Sequence, residues 1–181
     1  MTDASFERLV ELACHDLRTP LATVNGFTKT ILRAGEVADL RYVELIDGAA
    51  AEMAMLVDQL GLAARIAAGS YDPHPVEANT LELAAASGVP AAGEGAAVET
   101  DADTVVRSLR ALAAAAVRFG AEEPSWTVDG RELVLAPVGA NAAEALDGDA
   151  VRDLGALVAR AAIAALDGDV ELRGESLHVR L

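Results

Sequence analysis

Apolar residues recur at heptad spacing along the first third of the chain, and this periodicity constrains the fold more than any other feature. Such spacing places apolar side chains on one face of a long helix. One pattern ends at Gly35 and a second ends at Gly69, and glycine commonly terminates a helix. The rows are Val10, Leu17, Val24 and Ile31; Phe6, Ala13, Pro20 and Phe27; and Tyr42, Leu45 or Ile46, Ala49, Met53, Leu56, Leu60, Ala63 and Ala67.

The two patterns predict an antiparallel helical hairpin with a short connection around Gly35 and Glu36. Each helix would contain about 30 residues and extend ~45 Å. A single hairpin leaves much of both apolar faces in water, and pairing of two hairpins into a four-helix bundle is the usual remedy. We therefore expect a homodimer through residues 3–68. Pro20 lies inside the first helix, where it lacks an N–H for the carbonyl of Asp16 and predicts a kink.

Beyond the hairpin, short strand patterns alternate with helical ones. The segment Gly69–Pro75 has the composition of a linker, so we predict two domains, 1–69 and 70–181. The second domain should be a two-layer α/β sandwich, which makes the whole chain α+β. The predicted order is a strand near Val76, a helix from Asn79 or Thr80 to Ala86, a loop over 87–95, a strand over 97–100, a helix over 101–119, a hairpin of 125–128 and 132–136 around Asp129-Gly130, a helix over 151–166, and strands over 170–172 and 177–181.

Composition excludes several classes of protein. The chain has 14 basic and 29 acidic residues, and a net charge of −15 disfavours binding to nucleic acid. A single cysteine, Cys14, cannot form an intramolecular disulfide, and three scattered histidines do not indicate a metal site. The sequence shows neither a signal peptide nor an apolar run long enough to cross a membrane. We expect a cytoplasmic protein with no membrane association.

The stretch around Pro20 carries the candidate chemistry. In the heptad frame, His15 lies at a position that faces away from the apolar rows, so its imidazole should be accessible. An imidazole that attacks through Nε2 needs its other nitrogen held as N–H, and the neighbouring Asp16 carboxylate can do this. Thr19 lies one helical turn farther on and can position water or a phosphoryl group.

The seven residues from His15 to Leu21 resemble the H box of bacterial sensor histidine kinases at every position. In those proteins the H box lies midway along the first helix of the dimerisation and phosphotransfer hairpin. The resemblance implies that His15 accepts the phosphoryl group, that Asp16 assists the transfer, and that Thr19 supports phosphatase activity.

The second domain resembles a degenerate form of the ATP-binding (GHKL) domain of the same kinases. The family's N box should have asparagines where this chain has Ala111 and Ala115. The next box, expected over 135–140, lacks its aspartate and glycine pair; the last, over 153–157, has one glycine, and the lid over 138–152 is short. The resemblance therefore predicts a scaffold that binds no nucleotide, and neither cofactor nor metal is expected in this chain.

Together these features resemble the two-domain histidine phosphotransferases of the ChpT type. The resemblance implies a phosphorelay between response-regulator receiver domains through His15, with Mg²⁺ held by the receiver. Three alternatives remain open: an ATP-dependent histidine kinase, a receiver phosphatase that uses Thr19, and a dimerisation scaffold without catalytic activity.

Overall fold

A computed structural model describes residues 3–34, 40–147 and 152–181. The chain divides into two compact units, Met1–Gly61 and Leu62–Leu181. The predicted α+β class is confirmed, with a pair of long helices followed by an α/β unit. The last turns of the second helix group with the second unit, and the domain boundary at residues 69 and 70 stays a prediction.

The hairpin consists of α1 (Asp3–Ala34) and α2 (Leu40–Ala67). Near its tip, the rings of Phe27 and Tyr42 stack with their centroids 5.3 Å apart. Helix α1 continues through Pro20, whose ring is buried, so the proline does not end the helix. The predicted connection at Gly35 and Glu36 lies outside the described residues.

The interior of the hairpin is rotated slightly from the predicted rows. Leu9 and Leu12 are buried beside Ala13, whereas Val10 from the predicted row is exposed. On α2, Ala49 and Leu56 are buried as expected, and Ala67 is exposed. The sequence left open whether Leu45 or Ile46 belongs to the apolar row, and Ile46 is the less exposed of the two. A helix in a hairpin packs against one neighbour, so only part of a broad apolar face is covered.

The α/β unit contains a mixed five-stranded sheet and a separate two-stranded one. The strand order of the larger sheet is β2-β4-β5-β7-β6, with β2 parallel to β4 and the other pairs antiparallel. Strands β1 and β3 form the antiparallel pair. The elements are β1 (Val76–Asn79), α3 (Thr80–Ala86), β2 (Ala91–Gly95), β3 (Ala97–Thr100), α4 (Ala102–Arg118), β4 (Ser125–Gly130), β5 (Glu132–Ala136), α5 (Ala140–Leu146), α6 (Leu154–Ala165), β6 (Asp169–Arg173) and β7 (Ser176–Arg180).

The core of this unit lies between one face of the sheet and helices α4 and α6. Every second residue of the central strands is buried, including Trp126, Leu133 and Leu177, as expected for a sheet with one covered face. Leu109 and Leu112 on α4 are fully buried in the same core. This arrangement agrees with the predicted two-layer sandwich.

Two predictions about local structure were wrong. The segment predicted as a loop over 87–95 contains β2, which the parallel partner β4 holds in register. The segment over 138–152, predicted only as a short lid, contains α5, a helix with four buried residues that the sequence did not predict. The pairing of Asp129 with Glu132 moves the hairpin turn to Gly130 and Arg131, one residue later than predicted. The predicted start of the next helix at Val151 lies outside the described residues.

The start of α3 is stabilised by a side-chain cap. Asn79 is the N-cap of α3, because its Oδ1 accepts a hydrogen bond of 2.9 Å from the backbone N–H of Leu81. None of the helices in the described part of the chain combines the length and apolar character needed to cross a bilayer.

Helix α4 offers a matched test of the core. Val105 is fully buried and Val117, on the same helix, is 54% exposed. We expect Val105→Ala to lower the free energy of unfolding of this unit by about 1.5–3 kcal/mol, because it removes two buried methyl groups and leaves a cavity. Chemical denaturation followed by fluorescence of Trp126, the chain's one tryptophan, measures this unit selectively.

The control is Val117→Ala, which removes the same atoms from a solvated position and should change stability by less than about 0.5 kcal/mol. Equal losses in the two variants would contradict the assignment of α4's buried face.

Candidate functional site

Helix α1 presents His15 to solvent beside a mostly buried carboxylate. The side chain of His15 is 77% exposed, and that of Asp16 is 13% exposed. Nδ1 of His15 lies 3.0 Å from Oδ1 of Asp16. The outward position expected for His15 from the heptad frame is therefore what the structure shows, and the predicted neighbour contacts the ring.

This contact determines which nitrogen is available for reaction. An ionised carboxylate only accepts hydrogen bonds, so Nδ1 of His15 carries the proton that it donates to Asp16. In the neutral ring, Nε2 then holds a lone pair. Such a nitrogen on an exposed side chain is suited to nucleophilic attack on an electrophile delivered from solvent.

Thr19 is exposed and lies one helical turn beyond His15. Its backbone carbonyl accepts a hydrogen bond of 3.2 Å from Oγ1 of Thr23. Within the described residues, no hydrogen bond joins the Thr19 hydroxyl to His15 or Asp16. The structure thus brings His15 and Asp16 together and leaves Thr19 nearby on the helix, and the roles assigned to the three residues stay predictions.

An ion pair at the start of α6, with a buried carboxylate and a half-exposed guanidinium, was not foreseen from the sequence. Asp153 is the N-cap of α6, and its Oδ1 accepts a hydrogen bond of 2.9 Å from the N–H of Ala156. Its Oδ2 lies 2.5 Å from Nη1 of Arg118, at the end of α4, and the Asp153 side chain is 4% exposed. A carboxylate therefore occupies the positive end of the α6 dipole and is paired with a guanidinium. The cap residue is recognisable from sequence, but no local signal joins it to a residue on another helix.

A second histidine contacts one carboxylate on the outer face of the sheet. Nδ1 of His178 lies 2.8 Å from Oε1 of Glu132, and Arg173 contacts both Glu132 and Glu171. The hydrogen bond with His178 holds the pKa of the exposed Glu132 carboxyl below its ordinary value, with help from the nearby arginines. These pairs link β5, β7 and β6. Among the described residues, no group of three or more potential metal ligands is arranged to hold an ion.

The family comparison agrees with the hairpin geometry. Residues 7–69 match the model of the His Kinase A (phospho-acceptor) domain, and this match covers about a third of the chain. It includes nearly all of α1 and α2 together with His15 and Asp16. The predicted resemblance to the histidine kinase phospho-acceptor domain is therefore confirmed for these residues. No curated protein sequence matches the chain.

Solved structures extend the likeness to the α/β unit at the level of fold. The Acinetobacter baumannii histidine kinase AdeS has a TM-score of 0.70 and 18% identity, over 92% of this chain and 96% of that one. Full-length ShkA, solved in complex with AMPPNP, has a TM-score of 0.52 and 19% identity, over 96% of this chain and 44% of that one. Over the matched residues, the chain therefore has the fold of a histidine kinase core.

Proposed function

We propose that this chain is a histidine phosphotransferase of the ChpT type, which relays phosphoryl groups between response-regulator receiver domains in the cytoplasm. The contact of His15 Nδ1 with Asp16, which leaves Nε2 exposed, is the observation that carries the proposal. The match of residues 7–69 to a phospho-acceptor domain supports it. The relay chemistry below follows from this geometry.

In the forward step, Nε2 of His15 attacks the phosphorus of an aspartyl phosphate on the receiver. The N–P bond forms as the P–O bond to the aspartate breaks, and that residue leaves as a carboxylate. The proton on Nδ1 stays hydrogen-bonded to Asp16, whose negative charge stabilises the ring as it becomes cationic. Transfer to a second receiver reverses these steps. Mg²⁺ on the receiver would screen the phosphoryl oxygens during both transfers.

The α/β unit does not fit a nucleotide at the positions that the kinase resemblance marks. Ala115, at the N-box position expected to hold Mg²⁺ through an asparagine, is buried in the core and carries no ligand atom. At the start of α6, the Asp153 carboxylate already caps the helix and pairs with Arg118. Phosphate groups favour helix N-termini, but a fixed carboxylate at the same place repels them. These two features support a relay that takes its phosphoryl group from a receiver instead of from ATP.

A receiver phosphatase is the second candidate, because the exposed Thr19 lies one turn from His15, where its hydroxyl can orient water. An ATP-dependent kinase would need nucleotide contacts that Ala111 and Ala115 do not supply. A scaffold without catalytic activity would give no role to the contact between His15 and Asp16.

The transfer assay compares variants of His15, Asp16 and Thr19. A phosphorylated receiver is mixed with the protein, and acid-labile label on the protein is measured. We expect His15→Ala and His15→Gln to abolish acceptance, because both remove the nucleophile. Asp16→Asn should slow transfer by about 10- to 100-fold, because an amide does not stabilise a cationic ring as a carboxylate does. Thr19→Ala should retain acceptance and reduce the loss of phosphate to water.

Dimer mass is checked for each variant, since the exposed His15 side chain should contribute little to packing. Full acceptance by His15→Ala would place the nucleophile elsewhere and refute the relay. Asp47→Asn, an exposed carboxylate on α2, is the matched control for Asp16→Asn and should transfer at the normal rate.

Nucleotide binding provides an independent test. We expect titration calorimetry with Mg-ATP to show no binding, because α4 and α6 present alanines and a carboxylate where phosphate ligands are needed. An active histidine kinase serves as the positive control. A dissociation constant tighter than about 100 μM, or about −5.5 kcal/mol, would favour the kinase alternative.

The dimer is supported by apolar side chains that the single hairpin leaves exposed. Val10 is 44% exposed and Leu21 is 51% exposed, and Leu17, which lies between them at steps of seven and four, is partly exposed. This row lies on a different face of α1 from His15. Pairing of two hairpins along it would remove these side chains from water and leave both imidazoles accessible.

We expect light scattering at micromolar concentration to give twice the chain mass of 18.6 kDa. Leu21→Glu should shift the protein toward monomer, because it would bury a charge in the interface. Ala22→Glu introduces the same group at the adjacent exposed position and should retain the dimer. A wild-type mass near 18.6 kDa would refute this arrangement.

A further inference from the structure

The residues that follow α2 are held by backbone hydrogen bonds to its last turn. The N–H of Ser70 donates to the carbonyl of Arg65 over 2.9 Å, and that of Gly69 donates to Ile66 over 3.1 Å. Gly69 has a φ of +64°, so the helix ends in a Schellman motif, which favours glycine at this position. The backbone is therefore fixed as far as Ser70.

The next residue, Tyr71, is anchored to the start of α4. Its hydroxyl lies 3.0 Å from Oδ2 of Asp101 and 3.0 Å from Oγ1 of Thr104. It donates to the carboxylate and is placed to accept from the threonine hydroxyl. The same Oδ2 accepts a bond of 3.3 Å from the backbone N–H of His74. A stretch with the composition of a linker thus has two hydrogen bonds to one buried carboxylate.

Asp101 is itself held rigidly by α4. It is the N-cap of this helix, and its Oδ1 accepts a hydrogen bond of 3.0 Å from the N–H of Thr104. Burial opposes its ionisation, yet the hydrogen bonds from Thr104, His74 and Tyr71 hold the pKa of this carboxyl below its ordinary value. The Asp101 carboxylate that Tyr71 contacts is therefore a charged group at the N-terminal start of α4. This helix carries the core residues Val105 and Leu109.

We propose that Tyr71 and Asp101 form a latch that holds residues 71–74 against the start of α4, so that the connection after α2 is a fixed strap when the latch is closed and a flexible tether when it opens. Pro73 and Pro75 flank His74 and restrict its backbone to extended conformations. This restriction lowers the entropy lost when the strap closes. The latch is independent of the relay chemistry at His15.

Amide hydrogen exchange in the full chain tests the latch directly. The reporter is the His74 amide, which donates to Asp101. We expect Tyr71→Phe, which removes only the hydroxyl, to speed exchange at this amide by about five- to twentyfold. Asp101→Asn should act in the same direction, because asparagine can still cap α4 but lacks the charge. Exchange at Val105, whose amide donates to the backbone carbonyl of Asp101, should stay unchanged in Tyr71→Phe.

The matched control is Tyr42→Phe, which makes the same change to the chain's other tyrosine, stacked on Phe27 in the hairpin. It should leave His74 protected. Unchanged protection of His74 in both latch variants would overturn the proposal. Faster exchange spread equally over α4 and the sheet would also overturn it, because the hydroxyl would then contribute to global stability instead of a local closure.

A second measurement uses the tyrosine ring. Burial, together with the bond to Asp101, raises the pKa of the Tyr71 hydroxyl, although contact with Thr104 opposes this. Asp101→Asn should therefore lower the Tyr71 pKa in an NMR titration of ring-labelled protein. A Tyr71 titration that does not respond to Asp101→Asn would contradict the contact between the two side chains.

Discussion

The α/β unit depends on the packing of α4 and α6 over a sheet with almost no aromatic side chains. Aromatic residues make up 3% of the chain, and Trp126 is the largest buried side chain. The two helices instead bury alanines, which let helices approach closely: Ala113, Ala115, Ala116, Ala156, Ala159 and Ala162. The pair of Arg118 and Asp153, in which the carboxylate is buried and the guanidinium is half exposed, joins the end of α4 to the start of α6. Loss of the Asp153 carboxylate would remove both this pair and the N-cap of α6.

The same packing explains why this fold need not bind a nucleotide. Ala115 lies in the core, where an asparagine would bring an amide that needs hydrogen-bond partners. The start of α6, which could attract an anion, is satisfied within the chain by Asp153. The residues at these two positions therefore contribute to the packing and capping of the unit. In the proposed relay, the same residues would also disfavour a bound phosphate group.

The sequence predicted long elements and local contacts well, and contacts between distant segments poorly. Heptad spacing was sufficient for both hairpin helices, and adjacency in the chain was sufficient for the contact of His15 with Asp16. Strand β2 was missed because Ala91–Gly95 has no strand-forming side chains and is held by its pairing with β4. The segment Gly69–Pro75 was predicted as a linker from its composition, and nothing local indicates that Tyr71 contacts Asp101. In each case that failed, a partner far away in sequence decides the local structure.

The two units differ in how many large apolar side chains they expose to water. Large exposed apolar side chains are concentrated in the hairpin, whereas Val76 and Val117 are the ones found in the described part of the α/β unit. Apolar surface of this extent is usually covered by association. Two faces of the hairpin are thus available for different purposes, because the apolar row that includes Leu21 lies away from the polar side that carries His15. In the proposed dimer, a second hairpin would cover the face that includes Leu21, and the face that carries His15 would stay exposed.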